Sequence, residues 1–372
     1  MKDTARLAVA AGAGALAARG AYAALRRRPP AGERTWSRTN HRGEPVTLLE
    51  GPAVAAGALA GQAVSAAVAV RLTVRPARAQ GHAGHAERAG DYAAGGGRSD
   101  LAVVVAGLGG VAFGALDDLR GSAKRRGLRG HLGALAHGEV TTGAVKLAGL
   151  AATGVAAALL EGGGPADVAV NAGLIAGSAN LLNLFDLRPG RAIKVAALGA
   201  AALAVGGALT PGPRAAGGAA VAAPLGAALA LLPEDLGERA MLGDCGANAL
   251  GAMLGAAAAR TLPREVRAGL LAGIVALTVT SEKVSFTKVI AATPALNWLD
   301  MLGRRPSGPP PRGAPVAGDG AAAGQPDLAG RVSARARRYR PGRHRGTEAG
   351  ETQARSGWRF EFLLKTVTRR EP

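Results

Sequence analysis

Large side chains are scarce in this 372-residue sequence. Aromatic residues make up 3% of it, whereas apolar residues as a group make up 48%, most of them Ala, Val and Leu. That composition offers too few rings for a water-soluble core of this size. Small residues, including 57 glycines, instead let helices approach closely in lipid, where dispersion contacts help to drive their association. We therefore predict a membrane protein built of packed helices.

Cysteine and acidic residues are also in short supply. The single Cys245 excludes an internal disulfide and a zinc site of clustered cysteines. Asp and Glu number 26 against 45 Lys and Arg, which gives a formal charge of +19. A basic chain can neutralise nucleic-acid phosphates, but no aromatic residues alternate with these cations to stack on bases. The expected partners are the membrane's anionic lipids and an anionic substrate, with no nucleic acid.

Long apolar runs recur along the chain. A helix needs about 20 apolar residues to cross the hydrocarbon core of a bilayer. Nine runs meet or approach that length: 5–25, 46–70, 101–116, 143–160, 167–184, 192–209, 215–232, 246–260 and 266–281. They predict an all-α, polytopic membrane helix bundle of about nine to ten transmembrane helices, contained in a domain of residues 1–302.

The first run also has features of a secretory signal peptide. The tripeptide Ala-Tyr-Ala at 21–23 has the small-x-small form of a cleavage site. However, Arg19 interrupts the apolar region, and three arginines follow directly at 26–28. These cations favour a first helix that is retained.

Basic residues in short connections predict the orientation, because they stay on the cytoplasmic side. They cluster after the first and third runs, in 26–42 and 120–146. Alternation then places the connections after runs five, seven and nine inside as well, in a multi-pass protein of the cell (plasma) membrane. Residues 303–372 are rich in Pro, Gly, Ala and Arg, and we predict that they form a disordered, basic cytoplasmic tail.

Two adjacent acids end the third run. Charged groups at membrane depth are costly, so such acids are functional candidates. Asp117 and Asp118 diverge by about 100° on a helix, so one could face a metal while the other contacts an acceptor or holds a lysine. Lys124 and Arg129, among the cations that follow, suit a diphosphate. The alternative is a basic topogenic loop that follows two helix-ending acids.

Two further polar clusters lie beside later runs. Asn180, Asn183 and Asp186 recur at every third residue, which keeps them near one face of a helix and suits a hydrated cation or a nucleotide. Hydrogen bonding between helices is the alternative for the asparagines. Asp244 lies between two glycines in a GDCG sequence, where a tight turn lets its carboxylate project from the start of the next span. A helix N-cap is the alternative there.

The orientation places all of these acids on one membrane side. The count of basic residues does not use the acids, yet it puts Asp117, Asp118, Asp186 and Asp244 on the cytoplasmic face. Four converging carboxylates repel each other unless a cation joins them. Mg²⁺ suits this role, since it takes oxygen ligands and accepts the rest from phosphates. A metal that bridges a diphosphate neutralises charge as the leaving group departs.

At these motifs the sequence resembles the polyprenyl-phosphate N-acetylhexosamine-1-phosphate transferases. The resemblance extends over residues 36–300, and its carriers are ALDD at 115–118, NLLNLFD at 180–186 and MLGDCGANALG at 241–251. Members use Mg²⁺ to transfer a sugar 1-phosphate from a UDP-sugar to a membrane polyprenyl phosphate, with release of UMP. The resemblance implies this activity, in cell-envelope polysaccharide or peptidoglycan precursor synthesis. The sequence does not decide whether the protein forms a homodimer.

The resemblance also implies roles for individual residues. Asp244 would be the metal ligand, and Asp117 or Asp118 would engage the lipid phosphate as catalytic residues. The nucleotide sugar would contact Asn183 and Asp186, with Asn180 on the same face.

Two positions depart from the family pattern. Pro189 replaces the second acid of an Asp-Gly-Leu-Asp-Gly run, and Met241 stands where the family often has a ring that stacks on uracil. Both changes favour an alternative, a non-catalytic descendant that binds lipid-linked precursors or scaffolds envelope machinery. Retention of Asp117, Asp118 and Asp244 favours the enzyme.

Overall fold

The computed structural model describes residues 2–80, 83–120, 130, 133–134, 136–209 and 218–306. The chain divides into two units, Met1–Gly308 and Pro309–Pro372. The second unit, which holds most of the predicted tail, lies outside the described residues. Lys124 and Arg129, predicted to bind a diphosphate, lie outside them as well.

The described part of the first unit consists of helices and one small sheet. The helices are α1 (Lys2–Arg27), α2 (Glu33–Trp36), α3 (Glu50–Gln80), α4 (Ala83–Arg120), α5 (Thr142–Glu161), α6 (Pro165–Phe185), α7 (Arg191–Leu209), α8 (Gly218–Leu236), α9 (Gly243–Thr261), α10 (Arg264–Ser281), α11 (Phe286–Ala292) and α12 (Pro294–Met301). Strands β1 (Ser37–Thr39) and β2 (Pro45–Thr47) pair antiparallel. This architecture confirms the prediction of an all-α bundle.

Each of the nine predicted apolar runs overlaps one helix, α1 or α3 to α10. The run 46–70 begins in β2, and residues 215–217 lie outside the described residues. Within the described ranges, five helices are long and apolar enough to cross a membrane: Thr4–Arg27, Glu50–Arg71, Gly96–Arg120, Thr142–Glu161 and Pro165–Phe185. Helices α10 and α11 meet at a 99° bend and count as a sixth if taken as one broken span. The prediction of a polytopic membrane helix bundle is thus confirmed, and α7, α8 and α9 pack within the same bundle.

Helix α9 is the central element. Sixteen of its 19 residues are buried, and it packs against every helix from α3 to α8. Glycines make these contacts close: Gly110 and Gly114 of α4 lie against the backbone of α9, and Gly251 and Gly255 of α9 lie against the backbone of α6. Because α9 is surrounded by protein, its surface need not be apolar enough for lipid.

The β-hairpin connects to the start of α9. Thr47, at the end of β2, forms a parallel bridge with Ala240, and the Met241 N–H donates to the Thr47 carbonyl over 3.0 Å. The segment just before α9 is thereby held by the hairpin.

The far end of the bundle contains compact ion pairs. There Asp100 contacts Arg260 at 2.7 Å and Arg6 at 3.6 Å, and Asp167 contacts Arg267 at 2.9 Å. These two acids are neutralised by arginines on neighbouring helices. At the opposite end, where α9 begins, the acids have other partners.

An acidic cluster at the start of helix α9

The turn into α9 depends on glycine. Gly243 has a φ of 60°, in the left-handed region that side chains rarely adopt. A Cβ atom at this position would lie 3.0 Å from Oδ2 of Asp118. On α4, Gly114 similarly lies against the Asp244 backbone. The absence of side chains at both positions lets the end of α4 meet the start of α9.

Asp118 caps helix α9 from a different part of the chain. Its carboxylate accepts hydrogen bonds from the backbone N–H groups of Asp244, at 3.1 Å, and Cys245, at 2.8 Å. These N–H groups belong to the first turn, where a helix cannot satisfy its own donors, and the negative charge suits the helix dipole. The N-cap position itself is Leu242, which has no side-chain cap. The alternative interpretation of Asp244 as the cap is therefore wrong.

Asp117 and Asp244 share the ammonium group of Lys146. Nζ of Lys146 lies 3.0 Å from Oδ2 of Asp117 and 2.8 Å from Oδ2 of Asp244. Lys146 reaches them from the first turns of α5, and its side chain is largely buried. The two adjacent acids of α4 thus have different partners, as their angular separation predicts. Asp117 contacts a lysine, and Asp118 caps a helix.

The sequence patterns did not single out Lys146, which counted only as one of the basic residues of 120–146 that predict the orientation. The signal that could have singled it out is its position inside an otherwise apolar span, where a cation needs partners. The sequence does not show which acids those partners are, because Asp117 and Asp244 lie on two other helices.

Asp186 meets the same end of α9. It follows the last residue of α6 and is buried, and its carboxylate accepts a hydrogen bond from the Gly243 N–H. Its Oδ2 atom has no hydrogen-bond partner in the described part of the chain. Burial, and then the nearby Asp235 carboxylate, raise the pKa of Asp186 well above its ordinary value. Acids from α4, from the end of α6 and from α9 therefore converge around one helix terminus.

Asn180 and Asn183 lie in a different place from Asp186. They line a groove of 470 Å³ between α5, α6 and α10, whereas Asp186 and Met241 line a separate cavity of 220 Å³. The predicted single face is wrong at Asp186 because α6 ends at Phe185, and the chain turns away at the following residue. Lys146 lines the groove beside the two asparagines.

Two further acids near this end were not predicted. Glu50, in the first turn of α3, is fully buried, and neither carboxylate oxygen has a hydrogen-bond partner within the described ranges. Asp235, in the last turn of α8, accepts a hydrogen bond from the Gly190 N–H, and burial raises its pKa to about 7. Each is an acid at the edge of an apolar run, and that position is the signal that could have identified it.

The cavity that contains Asp186 has both signs of charge on its walls. Asp235 and Glu238 line it with His41 and Arg188. Burial and the neighbouring Arg188 lower the pKa of His41, so its imidazole is mostly neutral near pH 7 and offers a hydrogen-bond donor and an acceptor.

A divalent cation fits this cluster only in part. Among the described residues, no group of three or more His, Cys, Asp or Glu side chains is arranged to hold a metal ion. Asp117 and Asp244 nevertheless share one cationic group, the Lys146 ammonium. Mg²⁺ commonly binds one or two carboxylates and takes its other ligands from water and substrate phosphates. The pair of carboxylates, with Asp244 as the predicted ligand, fits that mode.

Comparison with protein-family models gives no match for this chain. A search of curated proteins likewise finds no match.

Proposed function

We propose that this protein is a Mg²⁺-dependent transferase that moves a sugar 1-phosphate from a UDP-sugar to a membrane polyprenyl phosphate. The observation that carries the proposal is the meeting of Asp117, Asp118, Asp186 and Asp244 around the start of α9. Three separate parts of the sequence supply these acids, and packing contacts alone would not require four carboxylates there. The reacting face is the cytoplasmic one, where UDP-sugars are available.

The groove beside the cluster suits the lipid acceptor. Most of its wall is apolar, from α6 and α10, and its polar residues include Lys146, Asn180 and Asn183. An isoprenoid chain would lie along the apolar wall. Its phosphate would then reach Lys146, whose ammonium already bridges Asp117 and Asp244.

The cavity on the other side of the cluster suits part of the nucleotide sugar. Asp186 and Met241 line it, and its carboxylates and the His41 imidazole offer hydrogen-bonding groups to hydroxyls and amides. Met241 supplies a flexible apolar contact in place of an aromatic ring.

The reaction would be a displacement at phosphorus. An oxygen of the lipid phosphate attacks the β-phosphorus of the UDP-sugar, the bond from that phosphorus to the bridging oxygen breaks, and UMP leaves with the electron pair. Bound Mg²⁺ would neutralise the diphosphate charge. Lys146 would position the acceptor phosphate, and the fixed α9 terminus would hold Asp244 against it.

A second candidate is a protein that binds lipid-linked precursors or scaffolds envelope machinery without catalysis. The specific observation in its favour is that the acids also have structural partners. Asp118 caps α9, and Asp117 and Asp244 are neutralised by Lys146. Under this proposal the groove would bind a lipid, and no UMP would form.

The deciding experiment measures UMP release. The full chain in lipid nanodiscs receives polyprenyl phosphate, Mg²⁺ and each of a panel of UDP-sugars. We expect release with at least one donor, and loss of release on addition of EDTA and in the Asp244→Asn variant. The matched control is Glu265→Gln, which neutralises an exposed acid at the far end of the bundle.

Controls of folding make a negative result informative. Each variant is checked for a single symmetric peak in size exclusion and for wild-type helical content by circular dichroism. If the folded wild-type protein binds polyprenyl phosphate but releases no UMP with any donor, the transferase proposal is wrong and the binding protein replaces it.

A further inference from the structure

A second polar cavity is dominated by arginine and adjoins the cavity that contains Asp186, with which it shares His41 and Arg188. It has a volume of 370 Å³ and opens between the loop after β1, the segment that links α6 to α7, and helices α11 and α12. Its charged wall consists of Arg42, Arg188, Arg191, Arg304 and Asp300, with His41 at its edge. We call this the arginine pocket.

The positive charge of the arginine pocket is only partly neutralised. Asp300 contacts both Arg191 and Arg304, each at 2.7 Å. Arg42 contacts Glu238 at 2.9 Å. Two carboxylates thus face four guanidinium groups, which leaves two positive charges in excess.

Two of the arginines keep unused hydrogen-bond donors. Nε of Arg304 is buried without a hydrogen-bond partner among the described residues, and the Arg304 side chain is only 7% exposed. The Arg188 side chain makes no hydrogen bond or ion pair with the part of the chain that the structure describes. Burial, and then the neighbouring Arg304 and Arg191, lower the pKa of Arg188. A buried guanidinium donor without an acceptor is costly, and an anion in the pocket would remove that cost.

The chemistry of these groups selects the anion. Guanidinium groups bind phosphate oxygens through paired N–H donors and hold their charge at every physiological pH. A phosphate carries close to two negative charges, which would balance the two excess positive charges of the arginine pocket. The Thr287 hydroxyl and the Asn297 side chain add neutral hydrogen-bonding groups to the wall.

The position of the pocket allows two sources for such a phosphate. Helices α11 and α12 cover it, and their outer faces expose Val289, Leu296 and Trp298. An amphipathic helix pair with an exposed Trp is typical of the membrane interface. A soluble phosphorylated compound and a lipid head group therefore both have access.

We propose that the arginine pocket is a phosphate-binding site. None of the four acids around the start of α9 lines it, although His41 and Arg188 line both this pocket and the cavity that contains Asp186. The phosphate oxygens accept hydrogen bonds from Arg188 and Arg304. Arg191 is held by Asp300 and supplies charge rather than free donors.

Binding of inorganic phosphate tests the soluble source. The full chain is purified in detergent with EDTA, so that no metal draws phosphate to the acidic cluster, and binding is followed by titration calorimetry. We expect one site in the wild type and, in Arg188→Ala, affinity weakened by about tenfold or more. Arg264→Ala, which removes an exposed arginine at the far end of the bundle, should bind like the wild type.

Lipid exchange tests the other source. The same three proteins are placed in nanodiscs of phosphatidylcholine with or without phosphatidate, and native mass spectrometry counts the phosphatidate retained. Retention that depends on Arg188, without binding of inorganic phosphate, assigns the pocket to a lipid head group. Because Arg188 has no described ion pair to lose, Arg188→Ala is expected to fold normally. If neither phosphate nor phosphatidate binding changes in a folded Arg188→Ala protein, the proposal is overturned.

Discussion

The acid-lysine-acid contact is the most informative arrangement at the scale of single residues. Lys146 has two carboxylates within 3.0 Å, and one positive charge cannot fully neutralise both. Removing it would leave two partly buried like charges side by side, which costs several kcal/mol or forces one of them to take up a proton. The contact therefore links α4, α5 and α9. It is also the place where a second cation would be most stabilised.

The Lys146→Met variant tests this interpretation by thermal unfolding in detergent. We expect a loss of about 3 kcal/mol of stability, the amount typical of breaking a buried ion pair. Adding Asp117→Asn to Lys146→Met should restore part of the loss, because it removes the repulsion. Mg²⁺ should raise the unfolding temperature of Lys146→Met more than that of the wild type. Equal shifts in the two proteins would argue against a cation site between Asp117 and Asp244.

At the scale of elements, α9 shows how one helix terminus organises the cluster. Carboxylates from outside the helix accept hydrogen bonds from its first N–H groups. Asp118 accepts those of Asp244 and Cys245, and Asp186 accepts that of Gly243. The cap therefore consists of acids from α4 and from the end of α6. Any movement of these helices would expose the start of α9.

Asp118→Ala should loosen the start of α9 without unfolding the bundle. A lost N-cap costs about 1–2 kcal/mol, and we expect faster amide hydrogen exchange at Asp244 and Cys245. Asp118→Asn retains a side-chain oxygen and should protect these amides better than Asp118→Ala does. The matched control is Glu265→Ala, which removes an exposed acid at the far end of the bundle. Unchanged exchange at 244 and 245 in Asp118→Ala would show that the cap has no energetic role.

At the scale of the whole molecule, acids have different partners at the two ends of the bundle. At the far end Asp100 and Asp167 face arginines. At the α9 end, Glu50, Asp186 and Asp235 are buried with oxygens that have no hydrogen-bond partner in the described ranges. Buried carboxylates without partners destabilise a fold unless they take up a proton or bind a ligand. At the far end, Glu161 is the one acid with such an oxygen among the described residues, so most of this cost lies at the end with the proposed function.

This difference predicts a pH dependence of stability. Burial raises the Asp235 pKa from 3.8 to about 7, so the folded state holds this proton more tightly than the unfolded state does. The resulting stabilisation is present below about pH 4 and is lost as the pH rises to about 7. The charged groups around it include Glu50, Asp186, Lys194, Glu238 and Arg304.

Asp235→Asn should therefore unfold at a higher temperature than the wild type at pH 8, with a smaller difference at pH 5. Thermal unfolding between these two values measures the slope. Some slope should remain, because Asp186 is raised in the same direction. The Glu265→Gln control should follow the wild type. A profile for Asp235→Asn that is parallel to the wild type would contradict the assignment.

Much of the architecture was predictable from the sequence, because lipid acts on each helix separately. A run of small apolar residues is enough to predict a helix, and each of the nine predicted runs overlaps a helix. Charge counting in the connections also brought Asp117, Asp118, Asp186 and Asp244 to one end. Within the described ranges, five helices, or six with the bent pair, have the length and composition of a membrane span. Helices surrounded by protein, such as α9, do not have to be apolar enough for lipid.

The partners within the site were decided only by tertiary packing. The contact of Lys146 with Asp244 joins residues on different helices, and Arg191 reaches Asp300 from a distant segment. Asp186 turns into its own cavity because α6 ends one residue earlier. Apolar periodicity is a local property and determined the helices and their order. Side-chain partners depend on how closely glycines such as Gly114 and Gly243 let those helices meet, and that is a property of the packed bundle.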